Sequence, residues 1–129
     1  MNGISLRNNI NILGKGKEVL LFAHGFGCEQ SMWQHITPAF EDDYKIILFD
    51  YVGAGKSDLT AYDVTYRTIQ GYVNDVLKII DELALERVTF VGHSVSSIIG
   101  MLAAIENPTA FQQVIMIGPS PCYLNDGAY

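Results

Sequence analysis

The stretch Val88–Gly100, V-T-F-V-G-H-S-V-S-S-I-I-G, constrains this chain more than any other part of its sequence. Val88–Val91 is a run of residues that favour β-strands, and the segment after residue 96 has the pattern of a helix. Gly92–Ser96 joins the two through small residues. A strand that turns sharply into a helix is the setting of a nucleophile elbow, in which the central serine, here Ser94, exposes its hydroxyl at the carboxyl end of the strand.

The predicted turn has the chemistry that a serine nucleophile needs. The Val95 N–H lies at the start of the predicted helix, where backbone donors are unpaired and the helix dipole favours a developing oxyanion. The usual pattern is G-x-S-x-G, and here Ser96 occupies the last position. The pentapeptide alone leaves a second interpretation open, in which Ser94 only caps a helix.

Strand-like segments recur along the chain and are separated by turns and helical patterns. Apolar or alternating runs predict strands over 9–13, 18–23, 44–49, 88–91 and 113–117. Since strands and helices alternate from residue 18 onward, we predict an α/β fold with a mostly parallel sheet and helices on both faces.

Helical spacing predicts three helices between these strands. The first covers 31–40, with Ser31 as its cap and Pro38 kinking or dividing it. The second covers 69–83, after a long irregular loop over 51–66. The elbow helix is apolar nearly all round, so we expect it to be buried, and it stops at Asn107-Pro108.

Composition and charge narrow the classes of function. The 129 residues suffice for one domain, and 49% hydrophobic with 17% charged residues is a globular balance. A net charge of −6 disfavours nucleic acid as a partner. No apolar run approaches the ~20 residues that span a membrane, and the N-terminus lacks a secretion signal. We therefore expect a cytoplasmic protein without metal or cofactor, with Cys28 and Cys122 as free thiols.

The tripeptide Gly55-Lys56-Ser57 follows a predicted strand and suggests a phosphate-binding loop. That motif needs a glycine five residues before Gly55, where this chain has Asp50, and it needs a helix directly after Ser57. A loop is predicted there instead, so no helix N-terminus would cradle a phosphate. The sequence disfavours nucleotide binding.

The chain contains three histidines, two of them near the predicted elbow or its neighbouring strand. His24 and Gly25 follow the strand over 18–23 and, with His93, are candidates to line a substrate pocket. His24 has two interpretations: a pocket residue, or a turn residue hydrogen-bonded to its own loop. In either case the useful donor would be the Phe26 N–H. His93 and His35 are expected to be structural or exposed.

The sequence after Ser94 lacks part of the machinery that a serine nucleophile requires. A general base and an orienting carboxylate normally follow the serine, but residues 95–129 contain Glu106 and Asp126 and no histidine. Strands beyond 113–117 are also missing, so that strand is expected to be an unprotected edge. We therefore expect residues 1–129 to be the N-terminal part of a single larger domain.

Four segments together resemble one subfamily of the α/β-hydrolases. They are F-A-H-G-F-G-C-E-Q-S-M-W (22–33), I-L-F-D-Y-V-G-A-G-K-S-D-L (47–59), F-V-G-H-S-V-S-S-I-I-G (90–100) and I-G-P-S-P-C-Y-L-N-D (117–126). The subfamily includes the bacterial stress-response regulator RsbQ and the plant strigolactone and karrikin receptors, and G-H-S-V-S occurs within it.

The resemblance implies a serine hydrolase in which Ser94 is the nucleophile and the Phe26 and Val95 N–H groups form the oxyanion hole. It implies a small apolar pocket under a helical lid, for a small hydrophobic ester or lactone-like ligand, with the lid, the acid and the histidine after Tyr129. In the bacterial branch it implies a PAS-domain serine phosphatase as partner. Two alternatives stay open: a signalling module that works through protein contacts, and an inactive fragment without a catalytic base.

Overall fold

The computed structural model describes residues 3–121, which form a five-stranded sheet with α-helices packed on it. The strands are β1 (Asn11–Leu13), β2 (Glu18–Ala23), β3 (Tyr44–Leu48), β4 (Val88–His93) and β5 (Phe111–Ile117). The helices are α1 (Gly3–Arg7), α2 (Ile69–Glu82) and α3 (Val95–Glu106). All five predicted strands form, and their ends differ from the prediction by two residues at most.

The sheet has the strand order β1-β3-β2-β4-β5. β1 pairs with β3 in antiparallel orientation, whereas β3, β2, β4 and β5 pair in parallel. The predicted α/β architecture with a mostly parallel sheet is therefore confirmed. Because parallel strands have their carboxyl ends at one edge, the segments that follow β2, β3 and β4 meet there.

One face of the sheet packs against α2 and α3. Alternate residues of the strands, such as Leu21 and Phe90, point to this face and are fully buried with Val76 of α2 and Ile99 of α3. The prediction for α2 is confirmed, since its apolar residues at spacings of three and four form a single stripe.

The other face is covered differently from the prediction. The predicted helix over 31–40 is two short 3₁₀ turns, Gln30–Trp33 and Thr37–Ala39. Ser31 does not cap a helix, because its hydroxyl donates to the Glu29 carboxylate at 2.7 Å. Trp33 nevertheless packs on this face of the sheet, where its ring centroid is 5.0 Å from that of Phe22.

The segment before α2 is more ordered than the sequence predicts. Within the loop expected over 51–66 lie two further 3₁₀ turns, Leu59–Ala61 and Val64–Arg67. Asp58 and Asp63 each accept a hydrogen bond from the backbone N–H two residues later, which is the capping geometry that favours aspartate in turns.

The N-terminal helix α1 was not predicted, and a buried ion pair ties it to α2. The Arg7 guanidinium lies 2.7 Å from the Asp75 carboxylate, and the Tyr66 hydroxyl donates to the same carboxylate at 3.0 Å. Asp75 is almost fully buried, and burial raises the pKa of its carboxyl despite these donors, which therefore offset its lost hydration only in part. Within residues 3–121, no helix is long and apolar enough to cross a membrane.

The expectation that α3 is buried all round is wrong. Ile99 and Ala103 face the sheet, but Met101 is 38% exposed and Ile105 is 69% exposed. Ile115, Met116 and Ile117 of the adjacent edge strand β5 are each about 40% exposed as well. An apolar surface therefore extends along this side of the sheet, as the sequence predicts for β5.

We predict that the 129-residue chain on its own associates through β5, because an exposed apolar edge strand offers unpaired backbone groups to another chain. Met116→Lys should lower the average mass measured by light scattering or sedimentation velocity. Ile12→Lys is the matched control, since Ile12 is exposed on the short edge strand at the opposite side of the sheet. A monodisperse monomer of the parent chain at high concentration would contradict this prediction.

Candidate active site

Ser94 joins β4 to α3 in a strained backbone conformation. Its φ and ψ angles are 56° and −122°, a region that non-glycine residues rarely adopt. The turn brings α3 very close to the strand, because a Cβ on Gly92 would lie only 2.5 Å from the Ser96 carbonyl oxygen. Only glycine fits at position 92, and the local sequence therefore builds the sharp elbow that it predicts.

The N-terminus of α3 is not capped by the Ser94 side chain, which makes no capping hydrogen bond. The alternative in which Ser94 serves only as a helix cap is thus not what the structure shows. Val95 is the first residue of α3, where backbone N–H groups have no partner within the helix. This end of the helix is suited to bind an anion close to the Ser94 hydroxyl.

The turn His24–Gly27 follows β2 and lies against the elbow. A Cβ on Gly25 would lie 2.5 Å from Nδ1 of His93 and 3.3 Å from Cβ of Ser94, so this turn touches the elbow through its backbone. The Phe26 side chain is 90% exposed. The structure therefore places Gly25 directly beside Ser94, with Phe26 as the next residue of the same turn.

His24 is a buried turn residue whose two ring nitrogens are both engaged. Nε2 accepts a hydrogen bond from the Tyr51 backbone N–H at 3.1 Å, which leaves the proton on Nδ1, and Nδ1 donates to the Gly25 carbonyl at 2.8 Å. Burial lowers the pKa of His24, and the Gly25 hydrogen bond and nearby Asp50 only partly oppose this. His24 is therefore a neutral structural group at this site.

Ser96 connects the elbow to the His24 turn. Its hydroxyl is fully buried and donates to the His24 carbonyl oxygen at 2.5 Å. The same oxygen atom of Ser96 lies 2.9 Å from the Tyr51 hydroxyl. In the sequence, Ser96 is visible only as a departure from G-x-S-x-G, and no pattern indicates Tyr51, because neither contact is local in sequence.

Asp50 organises the loop after β3. Its buried carboxylate accepts hydrogen bonds from the Gln30 N–H at 2.9 Å, the Lys56 N–H at 3.0 Å and the Asn9 side-chain amide at 2.8 Å. Burial by itself would raise the pKa of Asp50, but these donors outweigh it and lower the pKa.

The Asp50 contacts explain the residues that resemble a phosphate-binding loop. The backbone N–H of Lys56 binds Asp50, and the Ser57 hydroxyl donates to the Ala54 carbonyl at 2.7 Å. A 3₁₀ turn, and not an α-helix, follows Ser57. Gly55-Lys56-Ser57 is thus a turn built around a carboxylate, which does not favour a phosphate at the same place.

A cleft of about 890 Å³ opens at the carboxyl ends of the strands. The predicted pocket residues His24 and Gly25 line it, together with Phe26 and Val95. His93, which was also predicted to line the pocket, and Ser94 do not belong to this lining, but both lie against Gly25, which does. One wall is aromatic, since the rings of four tyrosines form a continuous row. Tyr62 contacts Tyr66, Tyr66 contacts Tyr72, and Tyr72 contacts Tyr51. Such a cleft suits a small, largely apolar ligand.

A second depression, of about 730 Å³, lies at the opposite end of the sheet. It is lined by residues at the amino ends of the strands, among them Glu18, Tyr44, Arg87 and Gln112. Ligands of open α/β sheets bind outside the carboxyl ends of the strands, where Ser94 lies. The cleft beside Ser94 is therefore the candidate site.

Among residues 3–121, no histidine makes the hydrogen bond to the Ser94 hydroxyl that a general base for this serine would make. His24 uses both ring nitrogens, and His35 is exposed on the segment covering the other face of the sheet. His93 is half-buried next to Gly25, and among residues 3–121 its Nδ1 has no hydrogen-bond partner. Within residues 3–121, the site thus combines a candidate nucleophile with the unpaired N–H groups at the start of α3, and no histidine is hydrogen-bonded to Ser94.

Cys28 is free among the described residues, is half-buried and belongs to the lining of the cleft, a position that the sequence does not predict. Cys122 and Asp126, two other residues singled out in the sequence, lie outside the described residues. Across residues 3–121, no three His, Cys, Asp or Glu side chains are grouped as a metal site requires.

Comparison with known proteins identifies related sequences and structures. Residues 18–127 match the family described as "alpha/beta hydrolase fold". The chain is 47% identical over 120 residues to a strigolactone esterase from Pisum sativum, covering 92% of this chain and 45% of that protein. It is 42% identical over 123 residues to a karrikin insensitive 2 receptor from Petunia hybrida, with 95% and 46% covered.

The fold has a close counterpart among solved structures. A hydrolase from Oleispira antarctica superposes with a TM-score of 0.91 at 44% identity, over 95% of this chain and 45% of that one. The chain therefore spans less than half the length of these relatives.

We predict that His24 makes the folded chain sensitive to mild acid. Because its pKa in the folded state lies below the ordinary value of about 6.5, the unfolded chain binds its proton first. The stability that neutral His24 contributes is fully present above about pH 6.5 and is lost as pH falls through its folded pKa.

Urea unfolding between pH 7.5 and 5.0 checks this prediction. The free energy of unfolding should decrease as the pH is lowered, both in the parent protein and in His35→Gln, the exposed-histidine control. In His24→Gln the free energy should be lower at pH 7.5 and should change less with pH. Equal pH dependence in all three proteins would show that His24 is not the sensitive group.

Proposed function

This chain belongs to the α/β-hydrolase family, and on that premise we propose that it carries the nucleophile of a serine hydrolase for a small hydrophobic ester or lactone-like ligand. The observation that supports the proposal most directly is the Ser94 backbone, with a φ of 56° between β4 and α3. Strain of this kind persists where the surrounding structure enforces it, and it is common at active sites.

In the proposed reaction, the Ser94 hydroxyl oxygen attacks the carbonyl carbon of the ligand while its proton passes to the base, and the carbonyl π electrons move onto the carbonyl oxygen. Collapse of this intermediate breaks the bond to the ester or lactone oxygen, which takes up the proton, and water then hydrolyses the acyl-enzyme. The backbone N–H groups of Phe26 and Val95 would hold the oxyanion that forms. Two features support this assignment: the Gly25 backbone lies against Ser94, and Val95 begins α3, so both amides belong to segments that meet at the elbow. Donors of this type stabilise charge that appears only in the transition state.

We propose that the base and its carboxylate come from sequence outside these 129 residues, and that residues 1–129 are the N-terminal part of one domain. The histidines of this chain are poor candidates for the base. Both ring nitrogens of His24 are hydrogen-bonded within its own turn and its loop, and His35 is exposed on the other face of the sheet. His93 directly precedes Ser94 on the tight turn, where neighbouring side chains diverge, and its Nδ1 lies against Gly25. The relatives are more than twice as long as the matched region, and the apolar edge strand β5 is available for further strands to pair with.

The proposed ligand class rests on the cleft and on the relatives. Tyrosine rings form one wall of the cleft, and Phe26 and Ile99 add apolar surface, so a small hydrophobic molecule would be well accommodated. One relative is named as a strigolactone esterase and another as a karrikin receptor. A lactone-like carbonyl compound fits both the cleft and the proposed nucleophile.

We predict that a fluorophosphonate labels the intact gene product on Ser94. The Ser94 oxygen would form a bond to phosphorus as fluoride leaves, and the hydroxyl proton would pass to the base. Ser94→Ala should abolish labelling and lower ester hydrolysis by about 10³-fold or more. Ser97→Ala, a buried serine one position beyond Ser96, is the control and should keep labelling. Labelling that persists in Ser94→Ala would refute the assignment.

A second function, ligand-dependent signalling, is favoured by one observation: a relative with 42% identity is named as a receptor. In this version the occupied site changes a protein contact, and hydrolysis is slow or incidental. By the resemblance to RsbQ, a stress-response regulator, the partner would be a PAS-domain serine phosphatase, and the protein would act in the cytoplasm.

We predict that Ser94→Ala separates the two functions. If hydrolysis drives the output, the variant should lose ligand-dependent activation of the partner phosphatase together with labelling. If ligand occupancy is sufficient, activation should survive while labelling is lost. A pull-down with the phosphatase and a phosphatase assay, each with and without ligand, distinguish these results, and failure of the parent protein to bind would contradict the proposed partner.

A further inference from the structure

We propose that Ser96 and Tyr51 are positioning residues that hold the His24–Gly27 turn against Ser94, and so set the geometry of the oxyanion hole. The inference rests on the proposed function, because it assigns a task to residues beside the proposed nucleophile. It also gives a chemical role to the serine that replaces the last glycine of the G-x-S-x-G pattern.

The direction of the hydrogen bonds follows from the number of protons available. The Ser96 hydroxyl has one proton, and the His24 carbonyl at 2.5 Å can only accept. The Tyr51 hydroxyl, 2.9 Å from the Ser96 oxygen, must therefore be the donor in that contact. The result is a buried chain of hydrogen bonds from Tyr51 to Ser96 to the backbone of His24.

The same turn is held a second time through the His24 ring. The Tyr51 backbone N–H donates to Nε2, and Nδ1 donates to the Gly25 carbonyl, which also accepts from the Cys28 N–H at 3.1 Å. Tyr51 thus contacts the turn through its backbone and, by way of Ser96, through its side chain. Tyr51 therefore holds the His24 ring directly and the His24 carbonyl through Ser96.

The space around Gly25 leaves little freedom for the turn to shift. A Cβ at Gly25 would lie 2.5 Å from His93 Nδ1 and 3.3 Å from Ser94 Cβ. The peptide that links Gly25 to Phe26 carries the N–H proposed for the oxyanion hole. A change in the position of the His24 carbonyl is therefore transmitted to that N–H within two residues.

Ser96 is suited to this role because it belongs to the elbow itself. It is fully buried in the first turn of α3, two residues from Ser94, while its hydroxyl reaches the loop after β2. Tyr51 is fixed in turn by packing, since its ring contacts those of His24, Phe49 and Tyr72. The hydrogen-bond chain hence couples the nucleophile turn to the turn that would bind the oxyanion.

The neighbouring residue Ser97 provides a matched control. It is also fully buried in the first turn of α3, and its hydroxyl also donates to a backbone carbonyl, that of Gly92 at 3.0 Å. That carbonyl belongs to β4, and the Ile117 carbonyl, 3.4 Å from the same hydroxyl, belongs to β5, so neither is part of the His24–Gly27 turn. Removing either hydroxyl deletes a buried hydrogen bond, but of the two only the Ser96 hydroxyl bonds the turn that carries the Phe26 N–H.

The test compares Ser96→Ala, Ser97→Ala and Tyr51→Phe in the intact gene product, with p-nitrophenyl acetate as the substrate. Thermal unfolding gives Tm, and steady-state kinetics give kcat and KM. We expect Ser96→Ala to lower kcat about 10-fold to 100-fold with KM changed less than about twofold, because a displaced oxyanion donor weakens transition-state binding alone. Ser97→Ala should lower Tm similarly and leave kcat near the parent value.

Tyr51→Phe tests the hydrogen-bond chain from its other end, at the Tyr51 hydroxyl. It keeps the ring and removes the proton donated to Ser96, so kcat should fall in the same direction and by a smaller factor. Adding Tyr51→Phe to Ser96→Ala should cause little further loss of kcat, since both side chains act through the same series of hydrogen bonds to the His24 carbonyl. If Ser96→Ala does not fold, Ser96→Gly and Tyr51→Phe carry the same comparison.

The outcomes separate this inference from the proposed function. Loss of turnover in Ser94→Ala, with equal kcat in Ser96→Ala and Ser97→Ala, would overturn the positioning role alone. The positioning role would also be overturned if kcat fell in proportion to the loss of Tm in every variant, Ser97→Ala included. Turnover that survives Ser94→Ala would overturn the proposed function, and the inference with it.

Discussion

The close approach of α3 to the end of β4 is the constraint on which the rest of this structure depends. With no side chain at Gly92, the Ser96 backbone can lie where a Cβ would otherwise be, and Ser94 is forced to a positive φ. Such a conformation costs about 1–3 kcal/mol. Burial of Ile99 and Ala103 against the sheet supplies the opposing free energy, so the packing of α3 maintains the elbow.

The polar groups at this end of the sheet extend the constraint to neighbouring loops. Ser96 donates a hydrogen bond to the His24 carbonyl, and Tyr51 is hydrogen-bonded to Ser96 and to the His24 ring. The carboxylate of Asp50, next to Tyr51, accepts hydrogen bonds from three other segments of the chain. Each of these buried groups has its partners, which is what allows polar residues to lie inside a hydrophobic fold. The loops after β2, β3 and β4 are thus held as one unit around Ser94.

Much of this fold could be predicted from sequence, because buried parallel strands are continuous apolar runs and α2 has a clear helical period. The elbow was predictable for a similar reason, as Gly92 and Ser94 have local roles. The two 3₁₀ turns at 30–33 and 37–39, in place of one helix, were not predictable, since Trp33 is placed by packing on Phe22. The bonds of Ser96 with His24 and Tyr51 cross 72 and 45 residues of sequence, so no local pattern indicates them.

The measurement that tests the account most directly is a crystal structure of the intact gene product after reaction with a fluorophosphonate. The account predicts a phosphonyl group on the Ser94 oxygen, with its P=O oxygen within hydrogen-bond distance of the Phe26 and Val95 N–H groups. An adduct on another residue, or a phosphonyl oxygen directed away from both N–H groups, would contradict it.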